Sequence, residues 1–166
     1  MARYVVSDAS PLIGLAIVDG LGWLPALFGT VWIPASVQRE VLPGVGARGE
    51  REVAAAIKAK GLRVWRKAPS AAAVDLGDLD EGETDCIRIA LSEGAAQVLL
   101  LMDERAGRAI AQELGIPVAG TAAVIGLAKK RGLITSARAS FERLHGSDFR
   151  ISAAVIQAVL REVGEL

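Results

Sequence analysis

The run Val98-Leu99-Leu100-Leu101-Met102, apolar throughout and ending at Asp103, constrains the fold more than any other stretch of the chain. A strand that shows no alternation is buried on both faces, and such strands belong to parallel sheets covered by helices. Tyr4-Val5-Val6, Val31-Trp32-Ile33, Leu62-Arg63-Val64-Trp65 and Ile116-Pro117-Val118 read as further short strands. Between and after them, helical patterns cover residues 12–18, 21–28, 34–41, 50–60, 82–92, 104–114, 121–130, 136–144 and 152–163. Ser10 before Pro11 is expected to cap the first of these, and Gly61 to cap the helix over 50–60. Strands and helices alternating at this spacing imply right-handed crossovers and helices on both faces of the sheet. The expected fold class is therefore α/β: one three-layer α/β/α domain over residues 1–166, with a central, mainly parallel sheet of about five strands.

A length of 166 residues, 52% of them hydrophobic, suits one domain with a self-sufficient core. Residues 67–80, with Pro69-Ser70 and three alanines, read as linker-like but are short for a domain boundary. The helices over about 136–163 are expected to pack on the domain or at a dimer interface. One cysteine, Cys86, excludes a disulfide framework and a cysteine-based zinc site. One histidine, His145, excludes a His-rich metal site. Cys86 is expected in the core and His145 at the surface. The most membrane-like window, residues 12–33, is broken by Asp19, Pro25 and four glycines, and no apolar leader opens the chain. The expectation is a cytoplasmic protein that does not meet a membrane. With 4% aromatic residues, a stacking platform for single strands is not indicated.

Lys+Arg and Asp+Glu both number 19, yet they are segregated. Residues 39–67 carry a net charge of +5 and residues 75–104 a net charge of −8. An acidic cluster beside basic segments suits a cation site that receives a polyanion; such runs also mark ordinary solvated faces.

Ligands of open parallel sheets sit beyond the carboxyl ends of the strands. Asp8 follows the first strand and Asp103 the fourth. Asp8 lies among apolar residues, where an ionised carboxylate needs a partner; a turn or capping role is the structural alternative. Glu40, flanked by Val37 and Val41, is expected near the buried edge of its helix. Glu83 shares the stripe of Cys86, Ile87 and Ala90, although an acid also suits a helix N-terminus. Asp80, Glu81 and Asp85 crowd the same turn and would serve the helix dipole without facing inward. Carboxylates that converge with neither His nor paired Cys suggest hard-cation chemistry with Mg²⁺ or Mn²⁺ at a phosphodiester. No phosphate-binding glycine motif follows a strand, no G-x-S-x-G elbow is present, and Asp8-Ala9-Ser10 lacks the second aspartate of aspartyl phosphatases.

At these residues the chain resembles a known family. Val5-Val6-Ser7-Asp8-Ala9-Ser10-Pro11-Leu12-Ile13 resembles the opening of PIN-domain proteins, closest to their prokaryotic branch called the domain-of-unknown-function 3368 group. Ile33-Pro34 to Glu40-Val41, Leu79-Asp80-Glu81-Gly82-Glu83, the stretch from Leu101-Met102-Asp103-Glu104 to Arg108, and residues 115–134 extend the likeness over nearly the whole chain. The resemblance implies a PIN-like fold, a Mg²⁺- or Mn²⁺-dependent ribonuclease site of three or four acids, and a homodimer. It also implies a toxin held by a small antitoxin protein. Carried over, Asp8 is the first acid with Ser10 as its supporting hydroxyl, Glu40 the second, Glu83 the third and Asp103 the fourth, with Glu104 as rival.

The expected function is metal-dependent hydrolysis of RNA, with Asp8, Glu40, Glu83 and Asp103 binding the ions. Arg39, Arg48 and Arg51 would hold the RNA backbone, and Arg105 and Arg108 are further candidates. The alternatives are a PIN-like interaction module that has lost turnover and works through a protein partner, and a small-molecule phosphohydrolase using the same acids.

Overall fold

A computed structural model describes residues 2–68 and 75–166. Most of the linker-like stretch read over 67–80, residues 69–74, lies outside the described residues. The elements run β1 (Tyr4–Ser7), α1 (Ala9–Ile17), α2 (Trp23–Phe28), β2 (Val31–Pro34), α3 (Ala35–Val41), α4 (Glu50–Lys58) and β3 (Leu62–Trp65). After the undescribed residues come α5 (Glu81–Glu93), a 3-10 turn (Ala95–Gln97), β4 (Val98–Leu101), α6 (Arg105–Glu113), β5 (Val118–Ala119), α7 (Thr121–Lys130), α8 (Ala137–Gly146) and α9 (Ala153–Glu162).

The five strands form one parallel sheet in the order β3-β2-β1-β4-β5, flanked by helices in three layers. The chain winds outward from β1 to β3, then returns to the other side of β1 for β4 and β5. Tyr4 pairs with Val98 and Ser7 with Leu101, so β1 and β4 end level with each other. Val98, Leu100 and Leu101 are fully buried, which is why this run needs no polar alternation. Across the other half, Trp65 meets Tyr4 and Trp32 edge to face, with ring centroids 5.2 and 5.3 Å apart. One hydrophobic cluster joins the strands to all the longer helices, from Val5 to Leu160. Among the described residues, no helix is long and apolar enough to cross a membrane.

Three local expectations are corrected. Ser10 does not cap α1: the helix begins at Ala9, and Asp8, with extended backbone, takes the N-cap position without a side-chain cap bond. Pro11 therefore sits within the first turn, where its missing N–H forfeits no helical bond. Gly61 does not supply the left-handed turn after α4; Lys60 does, at φ 67°. The edge strand falls at Val118–Ala119 rather than 116–118, although the Pro117 carbonyl still accepts from the Leu100 N–H at 2.9 Å. The expected inward stripe of α5 is present, with Glu83, Cys86, Ile87 and Ala90 all buried.

Candidate active site

β1 and β4 lie side by side where the strand order reverses, and their carboxyl ends open one crevice, the ordinary ligand position of an open parallel sheet. Asp8 stands at its base. The Asp8 N–H donates to the Leu101 carbonyl at 2.9 Å, which carries the β1–β4 ladder one residue beyond the strand. The residue is 4% exposed. Burial pushes its carboxyl up to about 7; the Ala9 backbone N–H opposes the shift, and the negative charges of Asp80, Glu83 and Glu40 add to it.

The neighbouring acids come from three further elements. Asp80 and Glu83 open α5 through a capping box: Asp80 Oδ1 accepts from the Glu83 N–H at 2.8 Å, and Glu83 Oε2 accepts from the Asp80 N–H at 3.2 Å. Glu83 is 5% exposed. Burial raises its pKa against that hydrogen bond, and the charges of Asp80, Glu104 and Glu40 raise it further. Glu40, on α3, is raised by partial burial of its carboxyl and by Asp80. Its residue surface is exposed, so it stands on the rim and not at the buried edge expected for it. Glu104 is the exposed N-cap residue of α6.

Asp103, the expected fourth acid, has both carboxylate oxygens hydrogen-bonded. Oδ1 accepts from the Thr121 N–H and Oδ2 from the Thr121 hydroxyl, both at 2.8 Å. It therefore secures the first turn of α7 to the end of β4. On the β4 side it is Glu104, acting on Glu83, that joins the acidic group. Ser10 is part-buried and lines, with Asp103 and Glu104, a cleft of about 810 Å³ that leads away from the crevice.

Small residues let these elements close. A Cβ on Gly82 would stand 3.0 Å from Asp8 Oδ1 and 3.2 Å from Val37 Cγ2. A Cβ on Gly107 would stand 2.6 Å from Met102 Sδ. The Ser36 hydroxyl donates to Asp85 Oδ2 at 2.6 Å, and Arg39 pairs with Glu81 at 2.8 Å; both tie α3 to α5. Asp85 and Glu81 are thus taken up by α3, and of the turn's flanking acids only Asp80 bears on the buried carboxylates.

The basic candidates divide. Arg39 is committed to Glu81, and Arg48 pairs with Asp148 at 3.9 Å. Arg51 and Arg105 are exposed. Arg108 Nη1 donates to the Met102 carbonyl at 3.0 Å, which fixes its guanidinium at the end of β4.

Among the described residues, no three His, Cys, Asp or Glu side chains are gathered closely enough to form a ready-made cage for one ion. The chemistry of the donor set nevertheless suits a hard cation. Asp8 is a buried carboxylate on which every charged neighbour acts with negative sign, and a cation that takes oxygen ligands relieves that arrangement.

Sequence reasoning missed Asp80 and Thr121. The sequence places Asp80 in the turn of Glu83 only as a partner of the helix dipole; the capping-box spacing Asp80-Glu81-Gly82-Glu83 is the signal that could have tied it to the buried acid. Thr121 has no local signal, since its partner Asp103 is 18 residues away in sequence.

Residues 4–165 match the family model DUF3368, described as a PIN domain. No curated protein matches the chain at a significant level. The matched span takes in every strand and helix named above, including both sides of the β1–β4 crevice, and the chain belongs to the DUF3368 family of PIN domains.

Proposed function

We propose that the protein is a metal-dependent endoribonuclease whose site is built on Asp8, Glu40, Glu83 and a β4-side acid. PIN domains are generally nucleases and typically use divalent metal ions. The observation that carries the reading is the burial of Asp8 among like charges at the strand-order reversal. Asp8, Glu83 and Glu40 would hold Mg²⁺ or Mn²⁺, with Glu104 better oriented than Asp103 to complete the set. Such an ion supplies charge neutralisation at a phosphodiester and an activated water. Asp8 must be ionised to bind it, and near neutral pH its raised pKa keeps part of the population protonated until a cation arrives. The Ser10 hydroxyl, at the mouth of the cleft, would orient the water or a phosphate oxygen. A small antitoxin-like inhibitor and a homodimer belong to the same proposal.

A second reading has one observation in its favour: Asp103 spends both oxygens on Thr121. That suits a PIN-fold module with little or no turnover, acting through a protein partner. Cleavage of a mixed-sequence structured RNA, with Mn²⁺, with Mg²⁺ and with chelator, beside Asp8→Asn, separates the two. Metal-dependent cleavage that disappears in the variant supports the nuclease; equal background in both, without Mn²⁺ binding, supports the module.

A further inference from the structure

The cleft that begins at Ser10 and Glu104 runs along α6, past the α8–α9 connection, to α9. Two of its arginines are immobilised by main-chain carbonyls and not by acids. Arg108 Nη1 donates to Met102 O at 3.0 Å; Arg150 Nη1 donates to His145 O at 2.7 Å and to Ser147 O at 3.3 Å. The side chain of Arg105, in the first turn of α6, makes no hydrogen bond or ion pair with the described residues. The acids along the same walls are already engaged or belong to the site. Asp103 is bound by Thr121, Asp148 faces Arg48, and Glu104 joins the carboxylate group. Arg105, Arg108 and Arg150 thus share the cleft with Asp103, Glu104 and Asp148, yet none of the three guanidinium groups is in an ion pair with the described residues, and those of Arg108 and Arg150 are already held by the fold.

Its floor is apolar. Phe149 lies against α1 so closely that a Cβ on Gly14 would fall 2.8 Å from its ring, and Ile151, Val155 and Val159 continue the surface. The arginines offer contacts to phosphates, and Phe149 is the one aromatic side chain of the cleft on which a base could rest.

We infer that the RNA strand flanking the cleaved phosphodiester enters the α6–α9 cleft, where Arg105, Arg108 and Arg150 hold its phosphates, in place of the basic segment over residues 39–67. The inference rests on the ribonuclease reading. Over 39–67, Arg39, Arg48 and Lys67 pair with Glu81, Asp148 and Glu93, whereas the three cleft arginines make no ion pair with the described residues.

The test is fluorescence anisotropy of a short, labelled, single-stranded RNA of mixed sequence, titrated in Ca²⁺ at several salt concentrations. The proteins are wild type, Arg105→Ala, Ala109→Glu and Arg51→Ala. Ala109 is exposed and lines the cleft, so its glutamate adds a negative charge and leaves every arginine in place. Arg105→Ala is expected to weaken binding about tenfold. The salt slope should fall by about 0.7, the share of one phosphate on a single strand. Ala109→Glu should weaken binding in the same direction. Wild-type binding in both cleft variants, or weakening confined to Arg51→Ala, overturns the inference and leaves the cleft to a protein segment. If the wild type binds no RNA, the ribonuclease reading itself falls.

Discussion

The carboxylate of Asp8 rests so close to Gly82 that a Cβ there would lie 3.0 Å from Oδ1, tighter than an ordinary van der Waals contact. The first turn of α5 is thereby the wall that fixes where the acid of β1 points. Gly82→Ala gains helix propensity, worth about 1 kcal/mol, while pressing on Asp8 and on Val37. Thermal stability should therefore change by less than about 1.5 kcal/mol. Mn²⁺ affinity, measured by calorimetry, should drop several-fold. Unchanged affinity would show that Asp8 can move without consequence for the ion.

Asp8 also makes stability depend on pH. Its folded pKa, about 7, exceeds the ordinary value of 3.8, so the native state holds a proton that the unfolded chain releases. The resulting stability is complete below about pH 4, is lost as pH rises through about 7, and amounts to at most about 4 kcal/mol. Glu83 and Glu40 are shifted in the same direction and act with it. Denaturant unfolding in chelator should show this decline, and Asp8→Asn should flatten much of it while making the metal-free protein more stable at pH 8. Saturating Mn²⁺ should flatten the wild-type curve as well, because the ion favours the ionised carboxylates.

Adjacent acids at the end of β4 should respond in opposite ways. Asp103→Ala leaves the Thr121 N–H and hydroxyl without their partner and should cost about 1–3 kcal/mol of stability. Glu104→Gln, at an exposed N-cap that makes no cap bond, should move stability by less than about 0.5 kcal/mol and yet reduce metal-dependent cleavage. Parallel melting and activity measurements decide it; full activity in Glu104→Gln would return the fourth position to Asp103.

Much of this was legible in the chain because burial leaves periodic traces. The run at 98–102 marked a strand interior to the sheet, and the stripe Glu83-Cys86-Ile87-Ala90 marked the inward face of α5. What escaped was set by contacts distant in sequence. Asp103 after a buried strand looks the same whether it faces a cation or caps a helix, and only the packing of α7 brings Thr121 to it. Ser10 before Pro11 has the form of a helix start, but the β1–β4 ladder runs on to Asp8 and the helix follows at once. Lys60 takes a left-handed turn beside a glycine better suited to it, because β3 must begin at Leu62.

A second cap from far away holds the opposite end of the chain. Glu165 accepts from Ser136 Oγ at 3.0 Å, from the Ala137 N–H at 2.6 Å and from the Arg138 N–H at 3.2 Å, so α8 starts on a carboxylate that follows α9. Glu165→Ala should cost about 1–2 kcal/mol, read by denaturant unfolding. It should loosen α8 and α9 in hydrogen exchange while leaving the amides of β1 and β4 protected.

The pairing of Tyr4 with Val98 sets when the acids of a growing chain can come together. Contacts this distant in sequence form late, since loop closure must be met before they contribute. A nascent chain that has emerged only through α4 already carries Asp8 and Glu40, but β1 still has one side bare and the crevice has one wall. The acids would become a site only when the second half of the domain docks.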